Sequence, residues 1–281
     1  VTIFEKRDLP GGLNTFGVAE YKMDRRTSLE ELRLLFRLGC SVVTNREVGA
    51  DIAPKKLLAD FNAVFLGVGL ARTRDLGIPG EDLRGVVDAL SFIERVKAGQ
   101  ARGGGRVVVI GGGNTAIDAA TQSVRTGAEH VTLAYRRQRR DMPAYDFEVA
   151  LAKTDGVSLL MNARPQRVLG KGKVEAVEFL SPEGLFTLAC DRVIKAIGQE
   201  KEKTLPQAFG ARLNGDGTIA VDPDTMRTSR RRVFAGGDAV NGGKEVVNAA
   251  ADGKRAAWAI HRALRPRAAA PEGSAYWIKT L

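Results

Sequence analysis

Cysteine and histidine are scarce in this 281-residue chain, with two of each. Cys40 and Cys190 stand far apart, no Cys-x-x-Cys occurs, and only His130 and His261 are available to join them. A zinc site, a disulfide framework and an iron–sulfur cluster within the chain are therefore not expected. Aromatic residues make up 6% and are not interleaved with the arginines, so the stacking platforms of a single-strand nucleic-acid binder are missing. No apolar run approaches the roughly 20 residues that cross a bilayer. The longest candidates are strand-sized, such as Val64–Leu70, and nothing near Val1 resembles a signal peptide. The expected compartment is the cytoplasm, with neither membrane nor nucleic acid as partner.

What the chain does contain is 44% hydrophobic and 27% charged residues, enough for about two folded domains. Its 32 glycines fall in discrete clusters, which argues against disorder. The formal charge of +10 is concentrated in Arg136-Arg137-Gln138-Arg139-Arg140, Arg230-Arg231-Arg232 and the stretch from Arg262 to Arg267. Solvated arginine with an anionic ligand at one cluster is the preferred reading over a nucleic-acid footprint.

The opening Val1–Glu5 reads as a strand ending in an acidic residue, and because the chain does not begin with Met, upstream sequence is expected. After a loop at Pro10-Gly11-Gly12, the spacing of Leu29, Leu32, Leu35, Phe36 and Leu38 predicts a helix closed by Gly39. Strands are predicted over 41–48 and within 61–68, and Gly77-Ile78-Pro79-Gly80 is a turn at a domain boundary. Leu90, Ile93 and Val96 predict a helix from Asp88, stopped at Gly99 and the cluster Gly103-Gly104-Gly105. Then comes a complete βαβ unit: strand 106–110, glycine turn, helix 115–126, Gly127, strand 130–135. Short strands follow at 157–161, 167–169, 174–180, 185–189, 192–197, 218–221 and 233–235, and a final helix at 245–264.

The turn of the βαβ unit, Gly111-Gly112-Gly113-Asn114-Thr115-Ala116, fits Gly-x-Gly-x-x-Ala directly after an apolar strand and at a helix start. Gly111 permits the tight turn, Gly113 lets backbone amides approach a pyrophosphate, and Ala116 allows close helix–strand packing. The motif alone is weak; its strand and helix flanks make it a dinucleotide signal. Where an NAD site places a carboxylate after the second strand, this chain has Arg136-Arg137. Guanidinium forks match a 2′-phosphate, which favours NADP over NAD. The alternative is a solvated arginine patch. A second nucleotide half is implied by Glu5, placed at a strand end to take an adenosine ribose, and by Ala235-Gly236-Gly237-Asp238, where Asp238 is placed to bind a ribityl hydroxyl of FAD. The helix starting near Val246 aims its amides at the flavin pyrimidine edge.

In this order the motifs resemble the flavoproteins in which an NAD(P) domain is inserted into an FAD domain. More closely, the chain resembles the flavin- and NADPH-binding portion of the dihydropyrimidine dehydrogenase and glutamate synthase small subunit family. The resemblance is carried by Glu5 through Leu13, Gly17–Lys22, Gly67-Val68-Gly69, Gly77–Asp82, Gly111–Asp118 and Tyr135-Arg136-Arg137 with Met142-Pro143-Ala144. It continues through Ala196-Ile197-Gly198-Gln199, Phe234–Asp238 and Ala251–Lys254. It implies an α/β fold with two Rossmann-like three-layer dinucleotide-binding domains: a split FAD domain at 1–76 and 201–265, an inserted NAD(P) domain at 77–200, and a tail at 266–281. It implies that Glu5, Leu13, Gly237, Asp238 and Val247 contact FAD, and that Gly113, Asn114, Thr115, Arg136 and Arg137 contact the nicotinamide nucleotide. Gly67, Gly69, Gly111, Gly198 and Val246 complete the cofactor-binding set. The family's first FAD strand and its glycine fingerprint should precede Glu5, as should its cysteine-rich iron–sulfur segment.

The expected function is NADPH oxidation, with hydride passing to FAD and electrons leaving for an iron–sulfur centre or a partner subunit. Such a transfer needs alignment more than acid–base chemistry, so no catalytic side chain is named. Two alternatives stay open: a nucleotide-binding regulatory module without turnover, and a thioredoxin-reductase-like flavoenzyme lacking its disulfide.

Overall fold

The computed structural model describes residues 1–101 and 104–266. Gly103 of the predicted glycine stop, and the predicted tail beyond Pro266, lie outside the described residues. The chain folds into two compact units, one formed by Val1–Ile3, Arg7–Thr44 and Thr73–Gly198, the other by Phe4–Lys6, Asn45–Arg72 and the chain from Gln199.

In chain order, β1 (Thr2–Phe4) pairs with β2 (Ser41–Val43), and between them lie α1 (Gly12–Phe16) and α2 (Arg25–Arg37). Asp24 caps α2 by accepting the Thr27 amide at 2.9 Å. The predicted helix is present, but its apolar residues do not form core: Leu34 is 57% and Leu38 81% exposed, and Ser28 is the buried residue of α2. Then follow α3 (Pro54–Asp60), β3 (Val64–Leu66) and β4 (Leu70–Thr73). Of these, α3 lacked a readable period and begins instead on a proline at its first turn, where a missing N–H costs nothing.

The first unit continues with β5 (Val86–Asp88), α4 (Ala89–Lys97), β6 (Arg106–Ile110), α5 (Asn114–Arg125), β7 (His130–Ala134), α6 (Asp146–Thr154) and β8 (Ser158–Leu160). An antiparallel sheet of β9 (Arg164–Leu169), β10 (Ala176–Ser181) and β11 (Gly184–Ala189) comes next, before β12 (Arg192–Lys195). The parallel sheet runs β5-β12-β6-β7-β8. From β6 the chain steps outward through α5 and α6 to β7 and β8, and it returns as β12 on the other side of β6. The strand order therefore reverses at the carboxyl end of β6, the position where open α/β sheets bind ligands.

Alternation along β6 explains its continuous apolar run. Val107 and Val109 pack with Ile93, Ile117 and Leu133 under the helices, while Val108 and Ile110 pack with Val177 and Phe179 toward the antiparallel sheet. Both faces are covered, and each such side chain contributes about 1.5–3 kcal/mol on burial.

The second unit adds β13 (Gln199–Lys201), which pairs with β4, then α7 (Thr204–Ala208), β14 (Val233–Ala235), α8 (Asp238–Asn241) and α9 (Val246–Leu264). β14 pairs in parallel with β3, Val233 beside Val64 and Ala235 beside Leu66, over a core with Leu57, Phe209 and Ile219. The strand predicted at 218–221 is not formed; that segment makes only the isolated bridges Leu213–Ile219 and Val221–Thr228. Among the described residues, no helix is long and apolar enough to cross a membrane, and no group of three metal-ligating side chains occurs.

The turn at Gly77–Gly80 is held by one carboxylate. Glu81 accepts the Leu76 and Gly77 amides at 2.7 and 2.8 Å and pairs with Lys195 of β12 at 2.7 Å. Burial alone would raise the Glu81 carboxyl, but the Lys195 hydrogen bond and the two amides outweigh it and hold its pKa below the usual range. A depressed carboxylate stabilises the fold above its unfolded pKa of about 4.3 and loses that contribution as pH falls through the folded value. Glu81→Ala should therefore cost about 1–3 kcal/mol at pH 7 by denaturant unfolding. The difference from the parent should narrow below about pH 4; a gap that stays constant into acid would contradict this account.

Candidate functional site

The end of β6 turns through three glycines with separate tasks. Gly111 has φ +153°, and a Cβ there would lie 2.3 Å from the Ala196 carbonyl oxygen after β12. A Cβ on Gly112 would fall 2.4 Å from the Tyr135 ring. Gly113 faces open space and caps α5 without a side chain, so the first amides of α5, at Asn114 and Thr115, have no side-chain acceptor from the cap. Ala116, fully buried, lets the helix lie against the turn. An uncapped helix start above a Cβ-free corner fits a pyrophosphate.

The loop after β7 is tied to this turn. The Ala144 amide donates to Gly112 O at 3.2 Å, and the Tyr145 amide donates to Asn114 Oδ1 at 3.0 Å. Within the loop the Tyr135 hydroxyl donates to Asp141 O at 2.8 Å, and Arg139 pairs with Asp146. Arg136, Arg137 and Arg140 are exposed and, among the described residues, make no ion pair. One arginine thus braces the loop while its neighbours are left for an anion. This fits the 2′-phosphate of NADP.

Beneath the fingerprint helix lies a polar cluster that sequence reasoning did not find. Lys22 Nζ lies 2.7 Å from Asp118 of α5 and 2.6 Å from Glu148 of α6, and the Tyr21 hydroxyl donates to Asp118 at 2.7 Å. Burial, then the Asp118 charge, raises the Tyr21 phenol, which therefore remains a donor. Lys97 of α4 donates to Val18 O at 3.0 Å and to Met23 O. Together these contacts fix the segment 17–24 on the same unit as the fingerprint. Partners so distant in sequence leave no spacing signal; the runs Gly17–Lys22 and Gly111–Asp118 marked the places without pairing them.

The second glycine corner follows β14. Gly237 has φ +67°, its amide donates to Asp252 Oδ2 at 2.8 Å, and Asp238 opens α8 with its Oδ1 accepting the Lys244 amide at 3.1 Å. Val246 and Val247, the first residues of α9, are 51% and 69% exposed. The ring of Phe65, itself partly exposed, stands 3.1 Å from the Cβ position of both Gly67 and Gly236. Gly69, at φ +67°, opens to free space. Glu5 follows β1, and its carbonyl accepts the Arg46 amide at 3.0 Å. Phe65, Val246 and Val247, left uncovered around this glycine corner, fit a planar heterocycle, while the Gly237 amide is taken by Asp252 and the Asn248 amide at the start of α9 by the Glu245 side chain. Phe65 and Asp252 were not among the expected residues; Leu13, on α1, and Gly198, at φ +93°, belong to the first unit.

The profile of the pyridine nucleotide-disulphide oxidoreductases matches residues 26–253. The chain belongs to this family. It is 34% identical over 293 residues to the NADP(+)-dependent formate dehydrogenase subunit beta of Moorella thermoacetica, covering 96% of this chain and 41% of that protein. It is 35% identical over 290 residues to the glutamate synthase [NADPH] small chain of Escherichia coli K12, covering 91% and 61%. The chain therefore spans less than two thirds of either relative. In fold it matches the thioredoxin reductase of T. acidophilum with TM-score 0.73 at 22% identity, over 94% of this chain and 90% of that one.

Both cysteines of this family member are free thiols, Cys40 half-buried and Cys190 fully buried. Burial, then the charge of Asp191, pushes the Cys190 thiol up to about 12. Cys190 is therefore a protonated, unreactive thiol near neutral pH. A thiol-selective reagent should modify Cys40 alone in the native protein and reach Cys190 only after denaturation; rapid native labelling of Cys190 would refute this placement.

Proposed function

We propose that this chain binds NADPH at the β6–α5 turn and FAD at the β14–α8 corner, and that it passes reducing equivalents from one to the other and on to an iron–sulfur centre or partner subunit. In this reading the nucleotide half is 77–200 and the flavin half is 1–76 with 201–265, a division by cofactor that differs from the packing, in which residues 7–44 belong to the first unit. The observation that carries it is the uncapped, Cβ-free fingerprint at the strand-order reversal, with unpaired arginines directly after β7. Arg136 and Arg137 hold the 2′-phosphate and the amides of Asn114 and Thr115 the pyrophosphate, Gly111 makes the tight turn, and Gly198 completes the cofactor-binding set. On the flavin side Glu5 takes the adenosine ribose, Gly67, Gly69 and Gly237 admit the cofactor, Asp238 takes a ribityl hydroxyl, and Val246 and Val247 line the ring. When bound, the flavin supplies a two-electron acceptor that releases electrons singly. The protein's part is alignment and exclusion of water.

The two relatives are a subunit and a small chain by name, which supports a partner for electron exit. Anaerobic addition of NADPH should bleach the flavin absorbance of the purified protein; tight NADPH binding with no flavin and no turnover would favour a regulatory module. Replacing Arg136 and Arg137 by alanine should weaken NADPH binding about 30-fold or more, some 2 kcal/mol, and leave NADH nearly unchanged in calorimetry. Equal losses for both nucleotides would remove the 2′-phosphate assignment.

A further inference from the structure

Asp252 sits in the second turn of α9, 5% exposed, where a charge is costly unless it is paired. Its carboxylate accepts the Gly237 amide at 2.8 Å through Oδ2 and pairs with Arg255, one turn further along α9, through Oδ1. The corner is packed directly on it. A Cβ at Gly236 would stand 2.7 Å from the Asp252 Cβ, and one at Gly237 would stand 3.3 Å from the Ala249 Cβ. Gly237 itself holds φ +67° and ψ −153°, a region that side chains other than glycine do not occupy without strain. Nothing in local sequence fixes such a backbone; an acceptor fifteen residues away does.

We infer that Asp252 is the positioning residue of the flavin corner: by holding the Gly237 amide inward it fixes the Gly236–Gly237 peptide and thereby the placement of Asp238. The inference rests on the reading that this corner takes FAD. Because the peptide is trans, an amide turned toward Asp252 turns the Gly236 carbonyl away from it. The Gly237 carbonyl is already committed to α8, accepting the Val240 and Asn241 amides at 2.8 and 3.0 Å. Both sides of Gly237 are thus fixed, one by a helix start and one by a single carboxylate. Arg255, on the more exposed side, pairs with the other carboxylate oxygen and holds the side chain in place. Asp252 touches no substrate; its effect on the cofactor runs through Gly237 and Asp238.

Two variants separate this role from simple stabilisation. Asp252→Asn keeps an acceptor and loses the charge, whereas Asp252→Ala loses both. FAD affinity, measured by flavin fluorescence titration of the full chain, should fall several-fold in the first and at least tenfold in the second. NADPH affinity at the other turn should stay within twofold. Hydrogen exchange of the peptide spanning 234–240, measured without flavin, should accelerate in Asp252→Ala and much less in Asp252→Asn. Unchanged exchange at 234–240, or parallel loss of FAD and NADPH binding, would overturn the assignment. FAD binding by Asp252→Ala equal to that of the parent would overturn it alone, while failure of the parent to bind FAD would overturn the flavin reading on which it rests.

Discussion

The glycine turn after β6 depends on the burial of that strand on both of its faces. A strand clothed on one side could tilt; Val107 to Ile110, each at most 3% exposed, are held from above and below. That rigidity brings Gly111 so close to the Ala196 carbonyl that only a glycine fits, and it delivers the start of α5 to the reversal point of the sheet. The glycine pattern is a consequence of how near the neighbouring strand ends lie.

A second theme is the use of acidic side chains as acceptors for backbone amides. Glu81 gathers Leu76 and Gly77, Asp252 holds Gly237, Asp191 accepts the Arg106 amide at the start of β6, and Asp24 caps α2. Three of the four fix a turn or a strand end next to a glycine of positive φ, where the chain has least intrinsic preference. In a chain of net charge +10 the carboxylates are thus committed to architecture, while Arg136, Arg137 and Arg140 are left without ion-pair partners among the described residues.

Elements with strong periodicity were legible from sequence. β6 and β14 span the predicted residues, α5 and α9 differ by one, and α4 begins after its Asp88 cap as the spacing of Leu90, Ile93 and Val96 required. The short helices α1, α3, α6 and α7 were not legible. In α6 two adjacent residues break the pattern, with Phe147 70% exposed and Glu148 buried against Lys22, although Val149 and Ala152 are buried as hydropathy requires. At the candidate site the glycines and arginines announced themselves, because their chemistry needs a local motif. Their supports did not: Asp252 reaches Gly237, and Asp118 reaches Lys22, only through the fold.

The pairing of β14 with β3 has a consequence for how the protein is made. Residues 64–66 leave the ribosome before their parallel partner at 233–235, which appears only after the whole of 73–198 has been synthesised. The first unit can close on itself while the apolar edge of β3 still waits for its neighbour. The order of synthesis therefore leaves Phe65 and Leu66 without this partner strand while the intervening residues are made, an unpaired apolar edge of the kind that other chains can join.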